Sequence, residues 1–377
     1  MKILYDHLGF MHKYGGVPKY YVELLKHFNS DIYTLLVLFS NNYYLEESEL
    51  LRIYHLFSNS HFKGKYTILN ILNKCYSIPS LCCGKFDIYH QTLYDTYALK
   101  YLPKSKIYVT TMHDLNFVKI PQFYSKRSFF ERLLIGPDML NYQKESALKS
   151  DHIIAISHNT KQDLVNEWGI DPCKISVIYH GVSSPLKNLP EKRFHEKPYI
   201  LYVGTRNLYK NFGNFLKAFF LLSDKNIDLV CTGVPFSSDE LLNLSSLHLS
   251  ERVFCYPASE YDLARLYRDA LCFVYPSFYE GFGMPILEAM SYGCPVVLSN
   301  TSCFPEIAQK AGLYFDPTEI DDIHEKMKIM TGDVALRHYY IEEGYKRIKS
   351  FSWEKCAQQH IEVYKSLLVS SQKLAHN

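Results

Sequence analysis

Short runs rich in valine, isoleucine and tyrosine alternate with helical patterns along the whole chain, and that alternation restricts the fold more than any other feature. It is the signature of parallel sheets covered by helices on both faces. Strands are expected near residues 2–7, 32–38, 107–111, 152–156 and 175–179, then in a second series near 199–203, 227–232, 253–256, 271–275, 295–298 and 312–315. Two such series imply two doubly wound halves, which suits 377 residues better than one hydrophobic core does. Between them, HGVSSPLKNLPEKRFHEKP (180–198) is rich in proline, serine and charge and reads as the linker. Beyond residue 316 the pattern is wholly helical, closing with FSWEKCAQQHIEVYKSLL (351–368).

Composition narrows the function. The 41 lysines and arginines against 39 acidic residues leave a net charge of +2, which argues against a protein that coats nucleic acid. The ten cysteines are scattered without zinc-like spacing and read as buried thiols in a reducing cytoplasm. The opening MKILYDHLGF starts a strand and not a signal peptide. No run approaches the roughly 18 uninterrupted apolar residues of a membrane span, so the chain is expected to be soluble or attached to a membrane surface. The 32 tyrosines suit either sugar-stacking surfaces or ordinary packing.

The segment SFYEGFGMPILEAMSYGCPVV (277–297) follows the buried-strand pattern LCFVYPS. Gly281 and Gly283 favour a loop with unusual backbone angles, and Pro285 suits the first turn of a helix that ends near Gly293. A strand, a glycine loop and a helix N-terminus together can hold a phosphate or a partly negative oxygen. Glu280 and Glu288 flank that turn, and a carboxylate can accept both protons of a vicinal diol. On spacing alone, Glu288 could equally complement the helix dipole and Glu280 could be a plain loop residue.

These residues resemble the signature of retaining glycosyltransferases of family 4, the glycosyl transferases group 1 with the GT-B fold. Their motif is a glutamate, seven residues and a second glutamate, here Glu280 and Glu288. The likeness extends through SNTSCFPEIAQKAGLYFDP to residue 317, and to YILYVGTRNLYKNF (199–212), TMHDLNF (111–117), MHKYGGVPKYYVELL (11–25) and the FSWEK tail, in the family's order. It implies two Rossmann-like doubly wound domains facing across a cleft. One spans 1–182, binds the acceptor and is completed by a C-terminal helix at about 352–370; the other, 183–351, binds a nucleotide sugar.

The resemblance also implies roles. Glu288 would hold the ribose hydroxyls, Glu280 would contact the donor sugar, and the backbone of Gly281, Phe282, Gly283 and Met284 would meet sugar or phosphate oxygens. Lys210, six residues after Gly204, stands at the family's lysine position, and Arg206 is its expected partner on the departing diphosphate, although Thr205 and Tyr209 occupy the places where the family arginine commonly stands. Fixed cations aimed at that leaving group favour the transition state over the ground state and remove the need for a metal. By themselves, such residues would read as a solvated surface face. His113 follows the strand pattern KIYVTTMHD at its carboxyl end, where the family has a histidine near the donor sugar; alone it would read as a structural histidine. Gly15 and Gly16 would let phosphate or acceptor approach, though a tight turn needs glycine equally.

The implied activity is metal-independent, retaining transfer of a hexose of mannose or glucose type from a GDP- or UDP-linked donor, with no cofactor, to a glycan or lipid-linked acceptor in surface polysaccharide assembly. Same-face substitution would have the departing phosphate help deprotonate the acceptor hydroxyl. The stretch KIPQFYSKRSFFERLLIG (119–136) mixes lysine and arginine with aromatics; it suits either an anionic membrane surface at the inner face of the membrane or an ordinary helix with a basic outer side. Rival readings are a GT-B sugar-nucleotide epimerase, a phosphorylase with lysine-bound pyridoxal phosphate, and a non-catalytic carbohydrate-binding member.

Overall fold

The computed structural model describes residues 1–57, 62, 64–123, 139–206 and 208–375. Residues 1–118, 139–181 and 353–375 belong to one compact unit and 182–352, with 119–123, to another. Of the basic, aromatic stretch at 119–136, residues 124–136 lie outside the described residues.

The first unit carries a parallel sheet of six strands: β1 (Ile3–Tyr5), β2 (Tyr33–Leu35), β3 (Ile88–Gln91), β4 (Ile107–Met112), β5 (His152–Ala155) and β6 (Ile175–Val177). They lie in the order β2-β1-β3-β4-β5-β6. The second unit repeats the plan with β7 (Tyr199–Val203), β8 (Asp228–Thr232), β9 (Val253–Tyr256), β10 (Cys272–Tyr275), β11 (Val296–Ser299) and β12 (Gly312–Phe315), ordered β12-β11-β10-β7-β8-β9. All pairings are parallel. Buried on both faces, such strands need near-continuous apolar sequence, which is why most of them could be read directly.

The strand β3 is the exception and a correction to the sequence expectation. Its residues IYHQ are all buried although two are polar. His90 hydrogen-bonds to the Tyr364 hydroxyl at 2.6 Å and the Thr111 hydroxyl at 2.8 Å, and Gln91 accepts from the Tyr108 hydroxyl at 2.6 Å. Those partners lie 17 to 274 positions away, so local sequence could not disclose them.

In each order the chain reverses direction across the sheet, between β1 and β3 in the first and between β7 and β10 in the second. Ligands of open α/β sheets gather outside the carboxyl ends of the strands at these reversals. The core under the first sheet includes Tyr5, Tyr20 and Tyr21 and takes in Trp353, Cys356 and Tyr364 of the closing helix Trp353–Ala375. Eight tyrosines are among the largest fully buried side chains, so packing accounts for much of the tyrosine content. The cysteines depart from expectation: Cys75, Cys82, Cys83 and Cys173 are exposed, and five of the ten are buried. Three of the exposed four lie on the helix Lys65–Cys83, whose outward side is unusually apolar.

Candidate functional site

The reversal of the second sheet places two loops side by side. After β7 the chain passes Gly204, where φ of +123° requires glycine although open space surrounds the missing side chain. It then makes a single turn, Leu208–Lys210, and enters the helix Phe212–Phe220 through Asn211 in the left-handed conformation. Asn211 is fixed there by its Nδ2 donating to the Pro317 carbonyl at 2.7 Å. After β10, Pro276 ends the strand and the chain reaches Gly283, whose φ of +83° opens the helix Met284–Ser291 with Pro285 in its first turn. A side chain at Gly283 would also meet Ile286 at 3.0 Å.

The loops are tied to each other. The Phe278 amide donates to the Tyr209 carbonyl at 2.9 Å. Beside that bond, Lys210 Nζ lies 2.6 Å from Glu280 Oε1 and 3.2 Å from the Tyr275 hydroxyl, and it sits over the Tyr209 and Tyr275 rings. The lysine and glutamate side chains are only 12% and 13% exposed. Burial works to lower the Lys210 pKa, but the Glu280 carboxylate and the Tyr275 and Tyr209 hydroxyls hold it well above the ordinary lysine value, so the ammonium is charged at every relevant pH.

Glu280 is held from behind by Ser302. The serine hydroxyl accepts from the Glu280 amide at 3.1 Å and donates to the Glu280 carbonyl. Ser302 adopts φ of +57°, uncommon for any residue but glycine. Sequence reasoning missed it, since 22 positions separate the pair; the nearest signal is a turn-forming SNTS directly after β11. One further turn along the helix from Gly283, Glu288 is half-buried and accepts from the Tyr267 hydroxyl at 3.4 Å. Gly281 and Phe282 are buried, with Phe282 edge-on to Phe351 at 6.1 Å. The structure thus collects Gly204, Lys210, Glu280, Gly281–Met284 and Glu288 around one sheet reversal.

Arg206 lies against the turn after β8. Its Nε lies 2.6 Å from Glu240 Oε1, its Nη2 donates to the Val234 and Pro235 carbonyls at 2.9 and 3.0 Å, and its Nη1 meets Cys255 Sγ at 3.7 Å. The guanidinium also covers the Phe236 ring at 4.6 Å. Glu240 in turn closes the capping box of the helix Ser238–Ser246 with Ser237. Through these bonds Arg206 braces the turn after β8.

His113 and Gly16 belong to the first unit. His113 follows β4; its amide donates to the Tyr94 hydroxyl at 3.0 Å and its ring stands edge-on to Tyr20 at 5.3 Å. Burial pushes its pKa down to about 4, against a hydrogen bond with the Thr92 main chain, so the ring is neutral at pH 7. Its Nε2 is buried with no hydrogen-bond partner among the described residues. Gly16 opens the helix Gly16–Lys26 behind Gly15, whose φ is +152°.

Around His113 lies a buried network that the sequence did not foretell. Tyr20 bonds to His360 Nε2 at 2.8 Å, and Tyr364 bonds to both Tyr5 and His90. At the reversal of the first sheet Asp6 accepts from Thr92, from the Tyr89 hydroxyl at 2.6 Å and from the Leu8 amide at 3.0 Å. Burial raises the Asp6 pKa to about 6 despite those bonds. The carboxyl clamps the loops after β1 and β3 to each other.

Comparison with known proteins follows this geometry. Residues 187–347 match the family described as Glycosyl transferases group 1, and residues 14–184 match Glycosyltransferase Family 4. The O-antigen chain mannosyltransferase B of Escherichia coli is 33% identical over 279 residues, 69% of this chain and 70% of the relative. The O-antigen chain mannosyltransferase RfbU of Salmonella typhimurium is 30% identical over 58% of this chain and 59% of its own length. Among solved structures, the sucrose-phosphate synthase of Thermosynechococcus elongatus superposes with a TM-score of 0.73 at 20% identity, covering 98% of this chain and 100% of that one. A glycosyltransferase of Rickettsia africae gives 0.69 at 20% identity, covering 97% and 98%. The two Rossmann-like, doubly wound units are the GT-B fold.

Proposed function

The chain belongs to the glycosyl transferases group 1, Glycosyltransferase Family 4, and we propose that it transfers a hexose, with retention, from a nucleotide-diphosphate sugar to a hydroxyl of a glycan or lipid-linked acceptor in surface polysaccharide assembly. The names of the two mannosyltransferase relatives favour mannose over glucose as the sugar, and the nucleotide that carries it, GDP or UDP, is part of the same proposal.

One observation carries this reading: the nearly buried Lys210–Glu280 pair at the sheet reversal, directly before a helix N-terminus. Removing one partner of such a pair would leave the other charge uncompensated, so the pairing keeps both satisfied. A nucleotide-diphosphate sugar supplies substitutes for each, since phosphate oxygens can take the ammonium and sugar hydroxyls can take the carboxylate. As the glycosidic bond breaks, negative charge grows on the departing phosphate, and Lys210 with the amides of Gly283 and Met284 would meet it. A phosphate oxygen then accepts the acceptor's proton while its oxygen bonds to the anomeric carbon from the side the phosphate leaves. Glu288 would fix the ribose diol, and the neutral, buried His113 would present Nε2 as an acceptor to a hydroxyl of donor or acceptor.

The positive charge from Lys210 and the helix end does the work that a divalent cation does in other transferases. Metal-independent transfer and the absence of a cofactor are parts of the proposal. No helix among the described residues is long and apolar enough to cross a membrane; a cytoplasmic place at the inner membrane face is proposed with the lipid-linked acceptor.

A panel of nucleotide sugars tested by thermal shift, followed by a transfer assay on the ligand that stabilises most, tests the reading. The expected result is one donor that raises the melting temperature and is consumed. A panel in which no nucleotide sugar stabilises the protein or is turned over would overturn it.

A further inference from the structure

Packing accounts for the buried tyrosines of the first unit, but not for those around the loop that leaves β1. Tyr14 and Tyr66 are 57% and 51% exposed. The Tyr14 ring lies tilted against Tyr43 at 5.5 Å and edge-on to Tyr44 at 6.3 Å. Tyr66, in the first turn of the helix Lys65–Cys83, lies 5.5 Å from the ring of the exposed His12. His12 and Tyr14 thus bring two aromatic groups to one loop at the carboxyl end of β1, the side of an open α/β sheet on which ligands gather.

The loop that carries them is held in place. The Ser40 hydroxyl donates to the Phe10 carbonyl at 2.8 Å, the buried Asn42 donates from Nδ2 to the His12 carbonyl at 2.6 Å, and the Tyr43 amide donates to the Lys13 carbonyl at 3.0 Å. Asn42 Oδ1 meanwhile caps the helix Tyr43–Glu47 by accepting from the Leu45 amide at 2.9 Å. Rings shown to solvent from a fixed backbone lose little entropy when a ligand settles on them. A side chain at Gly15 would find Pro18 nearest, at 3.5 Å, so the ground beside Tyr14 is open.

Chemistry indicates the ligand. Residues 11–16 and 40–44 contain no leucine, isoleucine or valine, so the patch offers aromatic faces with polar edges and not an aliphatic surface. Between Asp6 and Glu23 the sequence holds no acidic residue, so nothing there calls for a cation. Lys13 Nζ, 5.4 Å from the centre of the Tyr14 ring, and Lys19 Nζ, 5.9 Å from that of Tyr44, bring hydrogen-bond donors to the same rings. A pyranose matches this arrangement, since its C–H face can lie flat on an aromatic ring while its hydroxyls reach phenol and ammonium groups at the rim.

We propose that His12, Tyr14 and Tyr66 form a stacking platform that binds pyranose units of a glycan acceptor. The first unit then grips the sugar chain of the acceptor and not a lipid attached to it. The purpose of the platform rests on the glycosyl-transfer reading, whereas binding to it needs no donor.

The full chain is titrated with α-mannotriose, maltotriose and chitotriose without any nucleotide sugar, and binding is followed by saturation-transfer NMR of the trisaccharide protons. At least one trisaccharide is expected to bind, with affinity lowered by roughly fivefold for each of Tyr14→Ala and Tyr66→Ala. Tyr14→Phe, which keeps the ring, should stay within about twofold. Tyr339→Ala, at a half-exposed tyrosine of the second unit, should change nothing. Both platform rings lie at the surface, so the variants should melt with the parent. Binding that the tyrosine variants weaken supports the platform even where no donor is turned over, so the two readings fail separately. A chain that binds none of the trisaccharides, or equal binding by the doubly substituted Tyr14→Ala, Tyr66→Ala chain, would refute the proposal. Binding of GDP or UDP that Tyr14→Ala abolishes would assign the rings to a nucleotide and refute it equally.

Discussion

Lys210 Nζ stands 2.6 Å from Glu280 Oε1 although 70 residues separate them, because β7 and β10 are neighbours in the second sheet and each residue lies on the loop that leaves its strand. The pairing gives both charges a partner in a place from which water is nearly excluded. It also makes each residue's removal informative.

Lys210→Ala should lower turnover by roughly a hundredfold to a thousandfold, the scale of a lost group that stabilises transition-state charge. It should also destabilise the second unit, since Glu280 is left nearly buried without its cation. Glu280→Gln alongside it separates the two effects. Initial rates and thermal melts on both variants check this; turnover within a few-fold of the unaltered enzyme in both would remove the pair from the mechanism.

Arg206→Ala should act on stability and not on chemistry. Loss of its bonds to Glu240 and to two carbonyls is expected to cost about 1–3 kcal/mol, while kcat/KM below the melting range stays within about threefold. A variant with an unchanged melt and a hundredfold slower rate would return the guanidinium to the diphosphate.

Ser302→Gly is the clean test of the Glu280 support. Glycine accepts the φ of +57° without strain, so the substitution removes the hydroxyl with its Cβ and leaves the backbone conformation allowed. An approximately tenfold fall in kcat/KM is expected, because a small misplacement of a positioned group costs rate steeply. Kinetics indistinguishable from those of the parent would show that the loop holds Glu280 by itself.

Glu288→Gln should raise KM for the donor by about tenfold and leave kcat nearly unchanged, the mark of binding shared by ground and transition states. The same variant should lose most of its preference for a ribose over a 2′-deoxyribose donor. Activity in EDTA is expected to persist for the parent and the variant alike, and an absolute need for a divalent ion would contradict the mechanism.

Stability should fall as pH drops from about 6.5 towards 4. Burial lowers His7, His113 and His360 to about 4 and holds His90 and His180 well below the usual imidazole value. An unfolded chain takes up protons on them below its own pKa of about 6.5 that the folded chain refuses, so acid favours unfolding through that window. Asp6, raised to about 6, opposes this, since its protonated form is the one the fold prefers and its contribution is lost as pH rises through 6. His12 and His152, also lowered by burial, add to the histidine side, so the net is a loss, and the first unit's melting temperature should drop by roughly 10 °C between about pH 7.5 and about pH 5. A flat profile over that interval would mean that these rings are not dry.

The amphiphilic rhythm of the chain was enough to find eleven of the twelve strands, because a strand buried on both faces must be apolar along its own length. It was enough to place Gly283 and Pro285 at a helix start, since backbone angle and a missing amide proton are local properties. Glu280, Glu288 and Lys210 were singled out as a set by the resemblance to the family, since spacing alone left each of them open to a plain structural reading.

What sequence could not reach is every feature whose partner comes from elsewhere. The strand β3 looks too polar to be buried until His90 is seen against Tyr364, 274 positions away. The bonds of Arg206 to Glu240 and the Val234 carbonyl, 34 and 28 positions away, are equally hidden from local sequence. In the helix Lys65–Cys83 an asparagine and a serine lie inside and two isoleucines outside, an arrangement set by partners on distant loops. Periodicity reports how a segment wishes to bury itself, whereas a polar group's cost inside a protein depends on which donor or acceptor the folded chain brings to it, and only the tertiary structure settles that.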